Sequence, residues 1–218
     1  MNARIILSAL LIVVVSCGTA SASIILPDAP LNLVRTVPDF AVTNSVVTAY
    51  STSTSLFTVG GGLTGYTPPV GSPVSAINGT TGTGLTLLAN IGNLGGFVSG
   101  TLTLNGVIPA LGVVPVQNLL TANLTAFGYS GTGNKTIFEF RGVVTGGAEA
   151  SAFGSVGSPI GVIINPGANC TYAGTYSANF AGSGAGSTVD VFAIPEPCTL
   201  GVLALGGGLA ILRRRSAR

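Results

Sequence analysis

Thr136-Ile137-Phe138-Glu139-Phe140-Arg141 decides the fold class. Phe138 and Phe140 fall on one face, Glu139 and Arg141 on the other. That period of two belongs to a half-buried β-strand. The same alternation recurs in both directions along the chain. In Leu120-Thr121-Ala122-Asn123-Leu124-Thr125-Ala126, Leu and Ala oppose Thr and Asn. Thr101-Leu102-Thr103-Leu104 alternates too and runs into Asn105-Gly106, a hairpin turn signal. Thr175-Tyr176-Ser177-Ala178-Asn179-Phe180 reads as a strand with Tyr176 and Phe180 facing inward. Residues 161–165 and 188–192 are shorter apolar strands, and 45–59 is Ser/Thr-rich with room for two.

Between Asp28 and Ala193 no sustained 3.6 period appears, and Gly and Pro interrupt any such run. Short strands with Gly-rich turns predict an all-β body, a single β-sandwich or barrel-like domain. About 165 residues suffice to bury a real core. Pro68-Pro69, Pro73 and the Gly-rich run 79–84 mark a long loop.

Composition narrows the chemistry. Of 218 residues only 6% are charged, with 33 Gly, no His and no Trp. Soluble domains usually carry roughly a quarter charged residues; here Ser, Thr, Asn and Gly supply the polar surface, as suits an extracellular β protein. Three body cations, Arg35, Lys135 and Arg141, face five acids, Asp28, Asp39, Glu139, Glu149 and Asp190, giving the body a net charge of −2. No basic patch exists for a phosphate backbone, so no nucleic-acid partner is expected.

The missing histidine removes Ser-His-Asp and Cys-His catalysis and every His-containing metal site. Cys170 is the one body cysteine, so no disulfide forms there. Isolated acids make no calcium loop. Gly60-Gly61-Gly62 and Gly95-Gly96 lack the strand–loop–helix context of a phosphate loop. Glu139 and Glu149 are a conceivable carboxylate pair for glycoside hydrolysis, set against a reading as solvated surface charges. The expectation is a noncatalytic protein with no cofactor and no metal. Asn-x-Ser/Thr triplets at Asn78, Asn123, Asn134 and Asn169 carry little weight in so Asn- and Thr-rich a chain. Thr52/Thr54, Thr81/Thr83 and Thr101/Thr103 form Thr-x-Thr pairs. Regular Thr arrays on a flat β face can order water, but these pairs are unevenly spaced along the chain and read as ordinary strand threonines.

The chain begins with Met1 to Arg4, a short positive region, followed by the apolar run 5–15. That run is too short for a bilayer span and suits a signal peptide. Ala20-Ser21-Ala22 fits the A-x-A cleavage pattern, which predicts a mature start at Ser23. Val14-Val15-Ser16-Cys17 is a loose lipobox that competes with it.

The far end reads Ala193-Ile194-Pro195-Glu196-Pro197, then an apolar run from Cys198 to Leu212, then Arg213-Arg214-Arg215. Two prolines hold an extended segment open to a processing enzyme. As a helix the apolar run would be about 22 Å long, short for a hydrocarbon core of about 30 Å unless snorkelling arginines and local thinning close the gap. The arginines belong on the cytoplasmic side. This three-part tail resembles the PEP-CTERM sorting signal of exported bacterial proteins, which is also catalogued as an ice-binding protein C-terminal motif. The resemblance covers about the last two dozen residues. Cys198 departs from the small Ser, Thr or Ala more usual there, which leaves the cleavage point open.

The resemblance implies that Pro195, Glu196 and Pro197 are recognised by an exosortase of the inner membrane. Arg213, Arg214 and Arg215 would be the cytoplasmic stop, and the released body would pass to the cell surface, outer envelope or extracellular matrix. The expected organisation is a signal peptide over 1–22, a β-rich extracellular domain over 23–193 and a sorting tail over 194–218. The expected partners are signal peptidase, exosortase, the inner membrane transiently, and extracellular polysaccharide. The alternative is a secreted polysaccharide- or ice-binding module.

Overall fold

A computed structural model describes residues 31–70, 74–75 and 84–194. The expected signal peptide and sorting tail lie outside these residues. The body is all-β, as the alternation predicts. Its strands are β1 (Asp39–Thr43), β2 (Val47–Ser51), β3 (Leu56–Gly61), β4 (Gly65–Thr67), β5 (Val74–Ser75) and β6 (Gly84–Ile91). Then follow β7 (Phe97–Ile108), β8 (Val113–Ser130), β9 (Ile137–Gly146), β10 (Pro159–Asn165), β11 (Phe180–Gly182) and β12 (Thr188–Ala193). All join one sheet in the order β11-β2-β3-β6-β7-β8-β9-β10-β12-β1-β4-β5, and its neighbours pair antiparallel. It is therefore one curled sheet, closer to the barrel-like expectation than to two separate sheets.

The order forces the curl. Three residues, Asn44, Ser45 and Val46, join β1 to β2. They reach about 15 Å at most. Yet β1 and β2 stand eight places apart in the sheet, about 38 Å if it were flat. Residues 62–64 join β3 to β4 across the same gap. The two connections lie side by side: Thr43 Oγ1 donates to Thr64 Oγ1 at 3.2 Å and Ser45 Oγ to the Gly62 carbonyl at 3.3 Å. Thus β1–β2 and β3–β4 are the two arms of one long hairpin, folded over at a corner. One half of the hairpin pairs with β6 and the other with β12. The Asn44 N–H donates to the Ser187 carbonyl at 2.8 Å and pins the corner to the start of β12.

Rolling the sheet brings distant strands face to face. Phe57 of β3 meets Phe138 and Phe140 of β9, with ring centroids 5.1 and 5.7 Å apart. Tyr50, Phe127, Tyr129, Tyr172, Tyr176 and Phe180 extend the aromatic cluster. Phe40, Tyr66 and Phe153 stack as a second group. Burying a large aromatic removes roughly 150–250 Å² from water, and this is how a chain without Trp fills its core.

Two local expectations are corrected. β7 passes through Asn105-Gly106 to Ile108, with register shifts at Leu104/Asn105 and Gly106/Ile108. These bulges absorb the turn signal. The reversal is the 3-10 turn Pro109–Leu111, where Pro sits at a helical start and Gly112 takes φ +74°. Likewise, residues 175–179 are not a strand, and β11 begins only at Phe180. The Thr175 hydroxyl accepts from the Ser177 N–H at 3.1 Å, a local turn that competes with extended pairing. Tyr176 and Phe180 are buried all the same.

The corner has no room for a side chain at Gly61. A Cβ there would lie 2.7 Å from Val42 Cγ1 and 3.0 Å from the Ser45 carbonyl oxygen. At Gly65 a Cβ meets nothing within 4 Å. Gly61→Ala is expected to cost about 1–3 kcal/mol through overpacking, whereas Gly65→Ala should leave stability nearly unchanged. Paired denaturant melts check this; equal midpoints for the two variants would contradict the folded-over hairpin.

Candidate functional site

Pro195, Glu196, Pro197, Arg213, Arg214, Arg215, Ala20, Ala22, Cys17 and Cys198 all lie outside the described residues. The last described strand is paired on both sides. In β12, Asp190, Val191 and Phe192 pair with β1 and β10. The Ala193 N–H donates to the Pro38 carbonyl and the Ile194 N–H to the Pro159 carbonyl, each at 3.1 Å. The hydrogen-bonded ladder thus runs up to the residue before Pro195.

The incoming chain is fastened beside the outgoing one. Glu139 takes the Leu33 N–H on Oε1 and the Asn32 N–H on Oε2, both at 3.0 Å. Thr36 Oγ1 donates to the Ala193 carbonyl. Arg35 pairs with Asp39 and reaches Asp190 at 3.1 Å. This corrects the expected solvent face of β9. Glu139 is buried at 6% exposure because residues 31–33 cover it, whereas Arg141 is exposed. A carboxylate accepting two backbone N–H groups is compensated for its burial.

Glu149 serves elsewhere. It accepts from the Tyr66 hydroxyl at 3.0 Å. Burial first, then the charge and hydrogen bond of Glu149, push the Tyr66 hydroxyl above its ordinary pKa. Neither carboxylate is the free surface charge that alternation suggests, and they are not hydrogen-bonded to one another: each is tied to a different fold contact. Among the described residues no cluster of three or more Asp, Glu, Cys or His could hold a metal ion, and no helix is long and apolar enough to cross a membrane. Cys170 is half-buried against the core.

The outer face of β6–β9 carries the most regular array. Pairing aligns Thr86 with Thr103 and Thr103 with Thr121, across β6, β7 and β8. Thr145 of β9 extends the row by donating to Thr121 Oγ1 at 3.0 Å. One step along, Thr58, Leu88, Thr101 and Asn123 form a parallel row. The intervening row, Val59, Leu87, Leu102 and Ala122, is buried. Neighbours across the strands lie about 4.8 Å apart, and the rows about 6.8 Å apart. Of the three Thr-x-Thr pairs, only Thr101/Thr103 belongs to this face. Thr52 and Thr54 lie in the β2–β3 turn, and Thr81 and Thr83 lie outside the described residues. The array is invisible along the chain because strand pairing, not residue spacing, assembles it.

Charge is segregated in the same way. No Asp, Glu, Lys or Arg occurs between Asp39 and Lys135, so β2, β3, β6, β7 and β8 carry none. The charges sit on β1, β9 and β12 and the segments beside them. That gap is legible in the sequence. It gains meaning in the sheet order, where β2, β3, β6, β7 and β8 are consecutive neighbours and form one continuous uncharged half of the sheet. No aromatic platform accompanies the threonines: every Tyr is buried, and so is every Phe except the half-buried Phe97.

No family model, curated protein or solved structure matches this chain.

Asp190 supplies a pH test. Burial raises its pKa above the ordinary carboxylate value, with Arg35 opposing and Asp39 reinforcing. A carboxylate raised in the folded state binds more protons there than in the unfolded chain, so its contribution to stability falls as pH rises through the raised value. Asp190→Asn should therefore equal or exceed the parent's melting temperature at pH 7. That advantage should shrink as pH falls below the ordinary carboxylate range. A variant that loses stability at pH 7, with a deficit that narrows on acidification, would show that the Arg35 pairing outweighs burial.

Proposed function

We propose that this is an exported, noncatalytic protein of the cell envelope or extracellular matrix, sorted through its tail. A signal peptide ending at Ala20-Ser21-Ala22 delivers the chain across the inner membrane, and signal peptidase exposes Ser23. The apolar run before Arg213, Arg214 and Arg215 holds it there transiently. An exosortase recognises Pro195, Glu196 and Pro197 and frees the body for the cell surface. The observation that carries this reading is the order of P-E-P, apolar run and arginine cluster at one end, with a signal-peptide pattern at the other. It is supported by the strand ladder that pairs the described body up to Ile194, the residue before Pro195. Replacing Pro195, Glu196 and Pro197 by alanine is expected to leave the full-length chain in the inner-membrane fraction. Release of that variant at the parental rate would overturn the sorting reading.

A second reading is favoured by one observation, the row Thr86–Thr103–Thr121 on the outer face. Such a face would bind an uncharged polysaccharide, or ice, through ordered hydroxyls and methyls rather than aromatic stacking. Replacing all three threonines by Val keeps the shape and removes the hydroxyls. The triple variant should lose retention on polysaccharide columns or ice while keeping the parental melting temperature. No retention of the parent protein on either would dispose of this reading.

A further inference from the structure

We propose that copies of this chain associate head to tail, the apolar arm of one copy seating in the outer groove of the next. The arm is the distal part of the β7–β8 hairpin. β6 pairs with β7 only as far as Asn105, and β9 pairs with β8 only from Thr121. Among the described residues, 106–117 therefore has no sheet neighbour outside its own hairpin, while the Ala148 and Glu149 N–H groups still hold the Asn118 and Leu119 carbonyls. Its inner surface rests on the core through Ile108 and Val113. Leu111, Val114 and Val116 point outward, each more than a third exposed.

The groove lies at the opposite end of the same two strands. It is an open depression on the outer face lined by Leu56, Leu88, Val98, Gly100, Thr101 and Asn123. Leu56, Leu88 and Val98 are again more than a third exposed. From Thr101 in the groove to Ile108 beside the arm β7 runs seven residues, roughly 24 Å, so one copy cannot fill its own groove. Both belong to the uncharged half of the sheet, so an arm entering a groove strands no charge.

The chemistry selects a second copy over other occupants. An anionic lipid or nucleic acid needs Lys or Arg, which this half lacks. A bilayer interface or a sugar platform draws on exposed Trp or Tyr; the chain has no Trp, and its tyrosines are buried. A charged protein partner would find no complement. A second copy supplies an apolar, uncharged ridge shaped by the same strands. Pro115 lacks an N–H, so the arm docks through side chains rather than by extending a ladder. The contact uses two different patches and repeats in one direction, which builds a ring or an open filament. It concerns the body's surface and does not depend on how the tail is processed.

Cysteine cross-linking of the full chain in producing cells tests this, with Val114→Cys and Leu88→Cys introduced singly and together. Both positions are exposed, so neither change disturbs the core. After oxidation, the double variant should give a ladder on non-reducing gels. The two single variants produced together should stop at a dimer, and each alone should match the unsubstituted chain. A dimer from either single variant alone would mark arm-to-arm or groove-to-groove contact and overturn the proposal. So would a double variant indistinguishable from the unsubstituted chain.

Discussion

Everything in this body depends on one hairpin that must be in two places. β2 and β3 sit near one end of the sheet, β1 and β4 near the other, and only three residues join β1 to β2 and three join β3 to β4. Chain connectivity cannot stretch, so the sheet curls until β1 and β4 come within reach of β2 and β3. Phe57 then faces Phe138 and Phe140, and the aromatic core is assembled from strands four places apart. The corner itself is built for close approach, with Gly61 against Val42 and Ser45 and two hydroxyl contacts across it. Of the two edge strands, β11 and β5, β11 is covered, since Thr171 and Ala181 exchange hydrogen bonds beside it.

Closure also settles where charge is permitted. The seven charged residues described lie on or beside β1, β9 and β12 or in the turns flanking β9, and most have fixed partners. Glu139 holds the incoming backbone, Glu149 holds Tyr66, and Arg35 spans Asp39 and Asp190. These groups fasten the two ends of the body to the curled sheet. The rest of the sheet surface is left to Thr, Asn and aliphatic side chains. A protein that works outside the cell, at an interface of hydrated polymers or of its own copies, can carry such a surface. In a crowded charged solution it would have little electrostatic protection against association.

The sequence was most legible where the period of two was strongest. Phe138 and Phe140 inside, Arg141 outside, and Leu120, Ala122 and Leu124 against Asn123 and Thr125 all agree with the structure. It misled where a local signal competed with pairing. Asn105-Gly106 carries turn chemistry yet lies within β7, because its neighbours on β8 hold it in register through bulges. Tyr176 and Phe180 alternate as in a strand and are buried as expected, yet the Thr175 side chain turns the backbone between them. Glu139 was placed in water by its alternation, and the segment that covers it comes from more than a hundred residues away.

By itself the sequence determined the class of local structure, the absence of histidine chemistry and the paucity of charge, since these follow from residue identity and nearest-neighbour period. It also carries the tail pattern on which the sorting proposal rests, because that pattern is linear. The tertiary structure alone decided the single rolled sheet, the buried clamp of Glu139, the threonine rows and the separation of arm from groove. Each of these depends on which strands become neighbours. In an antiparallel sheet that choice is made by long-range closure and side-chain packing, which no short stretch of chain encodes.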